Sequence, residues 1–274
     1  MKSSFARYRS VGHKLVTGFM EPEVLLVAGA LDEAQRARSV AGAVAEIGVH
    51  HGKLFIGLNL LQRDDEKSVA IDIFGDQDLN IDGSGAGDLA KFTSNVDVWS
   101  SMDGVVIHQG DSTKLAPEVL LEEAGGPIRF FSVDGGHTEE IVYSDMQLAE
   151  ATLADGGVVI ADDVFNEFWP GVAVGTLKYL DDGAGLAPFA IGFNKVFFTQ
   201  PEYCDYYQAE LESAAHRSAR MQHTTSVFAG HPVLLLGPVT AVDVLRRSET
   251  LRTVYHRTYR ELVRGLQKVS GQGR

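Results

Sequence analysis

The sequence predicts an α/β protein built on a doubly wound, mostly parallel sheet, and three observations predict it. Apolar runs at 43–48, 68–73, 104–108, 129–134 and 157–162 alternate with stretches able to form helices, as strands joined by crossover helices require. Two of these runs end in acid: Asp134 closes Arg129-Phe130-Phe131-Ser132-Val133, and Asp162 and Asp163 close Gly157-Val158-Val159-Ile160-Ala161. Between them, residues 138–154 have helical spacing, so the unit reads strand–helix–strand with its strands parallel.

In an open parallel sheet, ligands bind at the carboxyl ends of the strands, where these three aspartates are expected. Carboxylates crowded at one edge repel one another unless a cation, a proton or a ligand intervenes. A divalent metal is the most economical resolution.

The flanking elements follow from periodicity. Residues 1–42 read as helical: Phe5, Tyr8, Val11, Leu15 and Phe19 recur every three to four positions, Pro22 breaks the pattern, and a second helix runs from Glu23 to near Ser39. The segment from Gly75 to Asn95 is rich in Gly, Asp and Asn and is expected to be a long loop, either a lid over the ligand edge or a plain insertion. Ala187–Gly192 and Lys195–Thr199 flank a tight connection and predict a hairpin, hence an antiparallel pair on the sheet. A helix is expected from Tyr203 to about Gln222, then a short apolar run, Val233 to Leu236, then a long basic amphipathic helix over 240–269. The chain thus divides into an N-terminal helical cap (1–42), a core (43–200) and a C-terminal helical extension (201–274). The two helical ends are expected either to cover a substrate mouth or to build a homodimer.

Val44-Ala45-Glu46-Ile47-Gly48 is a strand entering a glycine turn that closes at Gly52. Gly48 and Gly52 let the backbone approach a ligand where a side chain would collide. Asp72 ends the next strand and can accept from ribose hydroxyls. Gly110-Asp111-Ser112 follows the third strand, where polar groups for an adenine belong. A dinucleotide turn needs G-x-G-x-x-G, whereas His50 stands at the middle glycine and no third glycine follows. The turn therefore suits a nucleoside without phosphates, such as S-adenosylmethionine (SAM).

Composition narrows the class. A formal charge of −13 over 274 residues argues against a nucleic-acid partner. The single cysteine, Cys204, rules out an intrachain disulfide and fits a reducing compartment. There is no apolar stretch of the ~18 residues that spanning a bilayer takes, and no long apolar core follows the basic first residues. A cytoplasmic protein without membrane partners is the expectation.

On Glu46-Ile47-Gly48, Gly52, Asp72, Gly110-Asp111-Ser112, Asp134-Gly135-Gly136-His137 and Asp162-Asp163, residues 40–200 resemble the class I SAM-dependent methyltransferases. The resemblance implies a seven-stranded Rossmann-like sheet of order 3-2-1-4-5-7-6 with an antiparallel last strand. Within that superfamily the aspartate pattern looks like the metal-dependent O-methyltransferases of macrocin and mycinamicin type. It implies metal ligands at Asp134, Asp162 and Asp163. The catechol enzymes carry Asn at the last of these positions, so Asp163 sides with the sugar enzymes. They also place a catalytic lysine where this chain has His137.

The mechanism expected from these residues is an in-line methyl transfer from SAM to a hydroxyl of a sugar or oligosaccharide. Mg²⁺ or Mn²⁺ would chelate vicinal substrate oxygens beside Asp134, and His137 would remove the proton. Asn166 and Trp169 follow the aspartate pair and are candidate substrate contacts, Trp169 by stacking on a sugar ring or, alternatively, as a loop anchor. His50 and His51 would line the cofactor turn or the substrate mouth. Three alternatives stay open: metal-free methylation of a catechol-like or other small-molecule hydroxyl, a nicotinamide-binding oxidoreductase, and a non-catalytic SAM-fold binding protein.

Overall fold

The computed structural model describes residues 4–240 and residue 243. Nearly all of the basic helix expected over 240–269 lies outside the described residues.

Helix α1 (Phe5–Ser10) starts on Ser4, whose hydroxyl accepts from the Arg7 amide, and passes into a 3-10 turn at Gly12–Lys14. It stops short of the predicted stripe, and Phe19, expected on the apolar face, stands 95% exposed. Helix α2 (Val24–Ala37) follows Pro22 as expected. Then come β1 (Ala43–Ile47), α3 (Phe55–Asn59), β2 (Ser68–Asp72), α4 (Leu89–Trp99) and β3 (Val105–Gln109). They are followed by α5 (Pro117–Ala124), β4 (Ile128–Val133), α6 (Glu139–Thr152), β5 (Leu153–Asp162) and α7 (Pro170–Asp181). The chain continues through β6 (Ala187–Gly192), β7 (Lys195–Thr199), α8 (Cys204–Arg217), β8 (Met221–Phe228) and β9 (His231–Pro238).

The sheet runs β3-β2-β1-β4-β5-β7-β6-β9-β8. Strands β1 to β5 are parallel, and β7 enters antiparallel between β5 and β6. The expected seven-strand order is therefore present, and a further hairpin extends it. In the region read as a helical extension with a short apolar run at Val233–Leu236, that run lies in β9 and pairs with an additional strand, β8. Helix α8 ends at Arg217, short of Gln222, and the run Thr224-Thr225-Ser226-Val227, three of its four residues β-branched, pairs antiparallel with β9. Ala229 (φ 48°) and Gly230 (φ 84°) both take the left-handed conformation that a two-residue hairpin turn requires.

Consecutive strand residues feed opposite faces of the sheet. Val44, Phe130 and Val158 join one apolar cluster with Leu25, Leu31 and Leu211 from α2 and α8. Ala45, Phe131 and Val159 join the other, with Leu120, Met146 and Val172 from α5, α6 and α7. The N-terminal helices therefore share a core with the sheet. At the strand ends away from the aspartates, Arg129 is fully buried in a charge knot. Its Nε donates to Glu66 Oε1 at 2.9 Å, one Nη to Gln35 Oε1 at 2.7 Å, and the same Nη lies 3.0 Å from Asp32.

Candidate functional site

The carboxyl ends of β1, β2, β4 and β5 open into a cavity of about 1180 Å³. Glu46, Gly48, Asp72, Asp111, Ser112, Asp134, His137, Asp162, Asp163, Asn166 and Trp169 all line it, so these expected site residues converge on one space, whereas Gly52 does not line it and packs toward Phe92 and Ile56.

The cofactor turn owes its shape to Gly48. Its φ is +82°, and a Cβ there would sit 1.6 Å from the Asp134 carbonyl oxygen. Only glycine permits this approach, which brings the β1 turn against the end of β4. Asp72 accepts from the amides of His50 (2.7 Å) and Phe74 (2.5 Å), so it shapes its own turn as well as facing the cavity. Burial raises its pKa against those bonds. Asp111 caps the 3-10 turn at Ser112–Lys114 through the Thr113 amide and hydroxyl. Glu46 is buried, and desolvation pushes it up to about 8, with the Lys195 charge opposing. The rings of His50 and His51 lie 3.8 Å apart, tilted by 32°. No potential metal cluster among the described residues includes either of them.

The segment after β2 is shorter and more ordered than expected. Helix α4 begins at Leu89, capped by Asp88, so only residues 73–88 form the loop. Within it, Asp82 reaches across the cavity: its Oδ2 accepts from the His137 amide at 2.5 Å and lies 3.0 Å from His137 Nδ1. The other imidazole nitrogen, Nε2, stands 3.3 Å from Asp163 Oδ2. Burial disfavours the His137 cation, but the two carboxylates outweigh it and raise the pKa. Trp169 stacks on His137 at 4.4 Å and 23°, so one face of the indole that was expected to meet a sugar is covered by imidazole.

Asp163 takes a left-handed backbone (φ 59°), a conformation uncommon outside glycine and enriched at functional sites. The β6–β7 turn supports it: the Asp163 amide donates to the Asn194 carbonyl at 3.0 Å, and the Asn194 side-chain amide donates to Asp163 Oδ1. Asn166 also donates to Asp163, at 3.0 Å, so this candidate substrate contact positions an acid. Burial raises the Asp163 pKa, yet its bonds from His137, Asn166 and Asn194 leave it lowered. Asp162 is paired with Lys195, a buried lysine at the head of β7. Desolvation works against that ammonium, but Asp162 and Asp134 outweigh it and raise its pKa. Asp134 is held well above the carboxylate range by burial first and then by the Asp162 charge.

One ligand atom each from Asp134, His137 and Asp163 lie within 4.8 Å of one another. Of the expected ligands Asp134, Asp162 and Asp163, the first and last gather here beside His137, while Asp162 faces Lys195. Sequence reasoning missed Asp82, Asn194 and Lys195. The available signal was Lys195 itself, a charge heading the apolar run Val196-Phe197-Phe198, which in a buried strand calls for a partner.

Residues 45–164 match the family model of a methyltransferase domain. This segment of the chain is a methyltransferase domain, carried on the Rossmann-like sheet described above. The nicotinamide alternative gives way to that match. Among solved structures, the O-methyltransferase NovP is similar at 18% identity, over 65% of this chain and 80% of NovP, with a TM-score of 0.51. The calicheamicin methyltransferase CalS11 is 20% identical over 63% of this chain and 77% of CalS11, TM-score 0.47. MycE from the mycinamycin pathway, in complex with Mg and SAH, is 18% identical over 73% of this chain and 55% of MycE, TM-score 0.46. No curated protein matches the chain. Among the described residues, no helix is long and apolar enough to cross a membrane.

Proposed function

We propose that this methyltransferase moves the methyl group of SAM to a hydroxyl oxygen of a saccharide, with His137 as base and a divalent cation, Mg²⁺ or Mn²⁺, at Asp134 and Asp163. The observation that carries this reading is the line Asp82–His137–Asp163, which sets an imidazole against the acid cluster inside the cofactor cavity.

Asp82 accepts from Nδ1 and so fixes the tautomer in which Nε2 is the basic nitrogen. Nε2 takes the hydroxyl proton as the oxygen attacks the methyl carbon. The C–S bond breaks, and the thioether leaves with its electron pair. Glu46 and Asp134 would face the sulfonium and ammonium of the donor, whose positive charge favours ionisation of these two buried acids, while Asp72, Asp111 and Ser112 would face its nucleoside. The hard carboxylate oxygens of Asp134 and Asp163 fit Mg²⁺ or Mn²⁺, which when bound would make a nearby hydroxyl more acidic and leave the imidazole free as the base. Asp163, where catechol enzymes carry Asn, supports a sugar rather than a catechol acceptor.

The test is binding and turnover together. Titration calorimetry should show SAH uptake by the wild type and equally by His137→Ala, with methyl transfer to glycoside acceptors lost in the variant. EDTA treatment should abolish turnover and Mg²⁺ should restore it. Full turnover in chelator-stripped enzyme would remove the metal from the reading, and normal turnover in His137→Ala would remove the base.

A further inference from the structure

Well outside the cofactor cavity, three metal-binding side chains meet between α8 and the added hairpin. Glu212 and His216 lie one turn apart on α8 and so share a face. His223 comes from the third residue of β8. Ligand atoms of all three fall within 4.8 Å of one another, and His223 Nε2 stands 3.9 Å from Glu212 Oε1. The two imidazole rings are 4.8 Å apart at 65°, an edge-on arrangement.

A second contact prepares the site. His216 Nδ1 lies 2.8 Å from the Glu212 backbone carbonyl. A carbonyl only accepts, so Nδ1 carries the proton and Nε2 keeps its lone pair. Metal-bound histidines are held in this way, with the remote N–H on a carbonyl or carboxylate. Tetrahedral zinc with bonds of ~2.0–2.1 Å needs donors roughly 3.3 Å apart, a contraction open to these partly exposed side chains.

We propose that Glu212, His216 and His223 form a site for a borderline divalent transition metal, Zn²⁺ foremost, which clips the β8–β9 hairpin to α8. Two imidazoles and one carboxylate select zinc over magnesium, which prefers all-oxygen ligands. The exposure of Glu212 and His216 leaves the fourth position to water. The clip acts on the sheet that builds the methyltransferase site. β9 pairs with β6, β6 pairs with the Lys195 strand, and Phe228 at the far end of β8 packs on Phe165 at 5.4 Å, next but one to Asp163.

The experiment is titration of the tag-free, chelator-stripped full chain with ZnCl₂, read by calorimetry and by thermal unfolding. Zinc should bind at micromolar Kd or tighter and raise Tm by at least about 3 °C, whereas MgCl₂ should not reproduce that shift. His223→Ala and His216→Ala should each weaken this uptake at least tenfold and cancel the shift, and His137→Ala should retain both. His216 is exposed on a helix, so its variant keeps the test valid if His223→Ala folds poorly. Absence of zinc uptake in the wild type, or uptake unchanged in both variants, would overturn the proposal. So would loss of the uptake only in His137→Ala, which would place the ion in the catalytic cavity.

Discussion

One oxygen of Asp82 engages His137 twice, accepting from its amide at 2.5 Å and lying 3.0 Å from its Nδ1. The carboxylate comes from the loop after β2 and the imidazole from the start of α6, 55 residues apart in sequence. The loop therefore sets the orientation of the imidazole through this one carboxylate.

Asp82→Asn should lower kcat by roughly 100-fold, the lower end of what a general base contributes, and leave SAH affinity unchanged. It should also move the pH profile. The carboxylates raise the His137 pKa, and the base works only when neutral, so the wild-type rate climbs with pH through that raised value. Removing one carboxylate lowers the pKa, so the acidic limb of the variant should shift to lower pH. A limb that stays in place would show that Asp82 does not govern His137.

Lys195→Met removes the buried cation beside Asp162, Asp134 and Glu46. Leaving one partner of a buried pair unmatched costs roughly 3–5 kcal/mol. The Tm should therefore fall at neutral pH and be partly restored by millimolar Mg²⁺, since the cavity then lacks its own cation. A variant whose Tm ignores both the substitution and magnesium would contradict the role given to this lysine.

Gly48→Ala places a methyl carbon 1.6 Å from the Asp134 carbonyl oxygen in a left-handed backbone. The β1 turn and the β4 end must separate, and SAH affinity should fall at least about 100-fold by calorimetry, about 2.7 kcal/mol. Retained affinity would show that this approach does not build the cofactor site.

Asp145 lies buried under the Asp134-Gly135 turn, its Oδ2 placed 2.7 Å from where a Gly135 Cβ would stand. Desolvation pushes its pKa up to about 7, with the Asp111 charge adding and Ser112 opposing. In the unfolded chain the acid ionises near its ordinary value, so stability falls as pH rises from about 4 to about 7 and then levels. Asp145→Asn should remove this term. Its Tm should exceed the wild type at pH 8 and converge with it near pH 4, and a gap independent of pH would refute the assignment.

The strands from β1 to β7 and the meeting of Asp134, Asp162 and Asp163 at one edge were legible in the chain, while the order of the strands was implied by the resemblance to the methyltransferases. Apolar period and strand-end carboxylates are local signals, and crossover handedness limits how such strands can pair. The β8–β9 hairpin was not legible, because polar Thr224 to Ser226 pair on an edge and carry little apolar alternation. The start of α4 was hidden inside a glycine-rich segment whose composition masked the Asp88 cap.

Chain order thus determined the class of fold, the cofactor turn and the identity of the acids, since each rests on neighbours within a few residues. Only the folded molecule decided how the acids are used. Asp162 is taken by Lys195, Asp163 is shared among His137, Asn166 and Asn194, and Asp82 governs the imidazole. Those partners lie up to 55 residues away, and electrostatic pairing in a buried cavity follows distance in space, which no local pattern encodes.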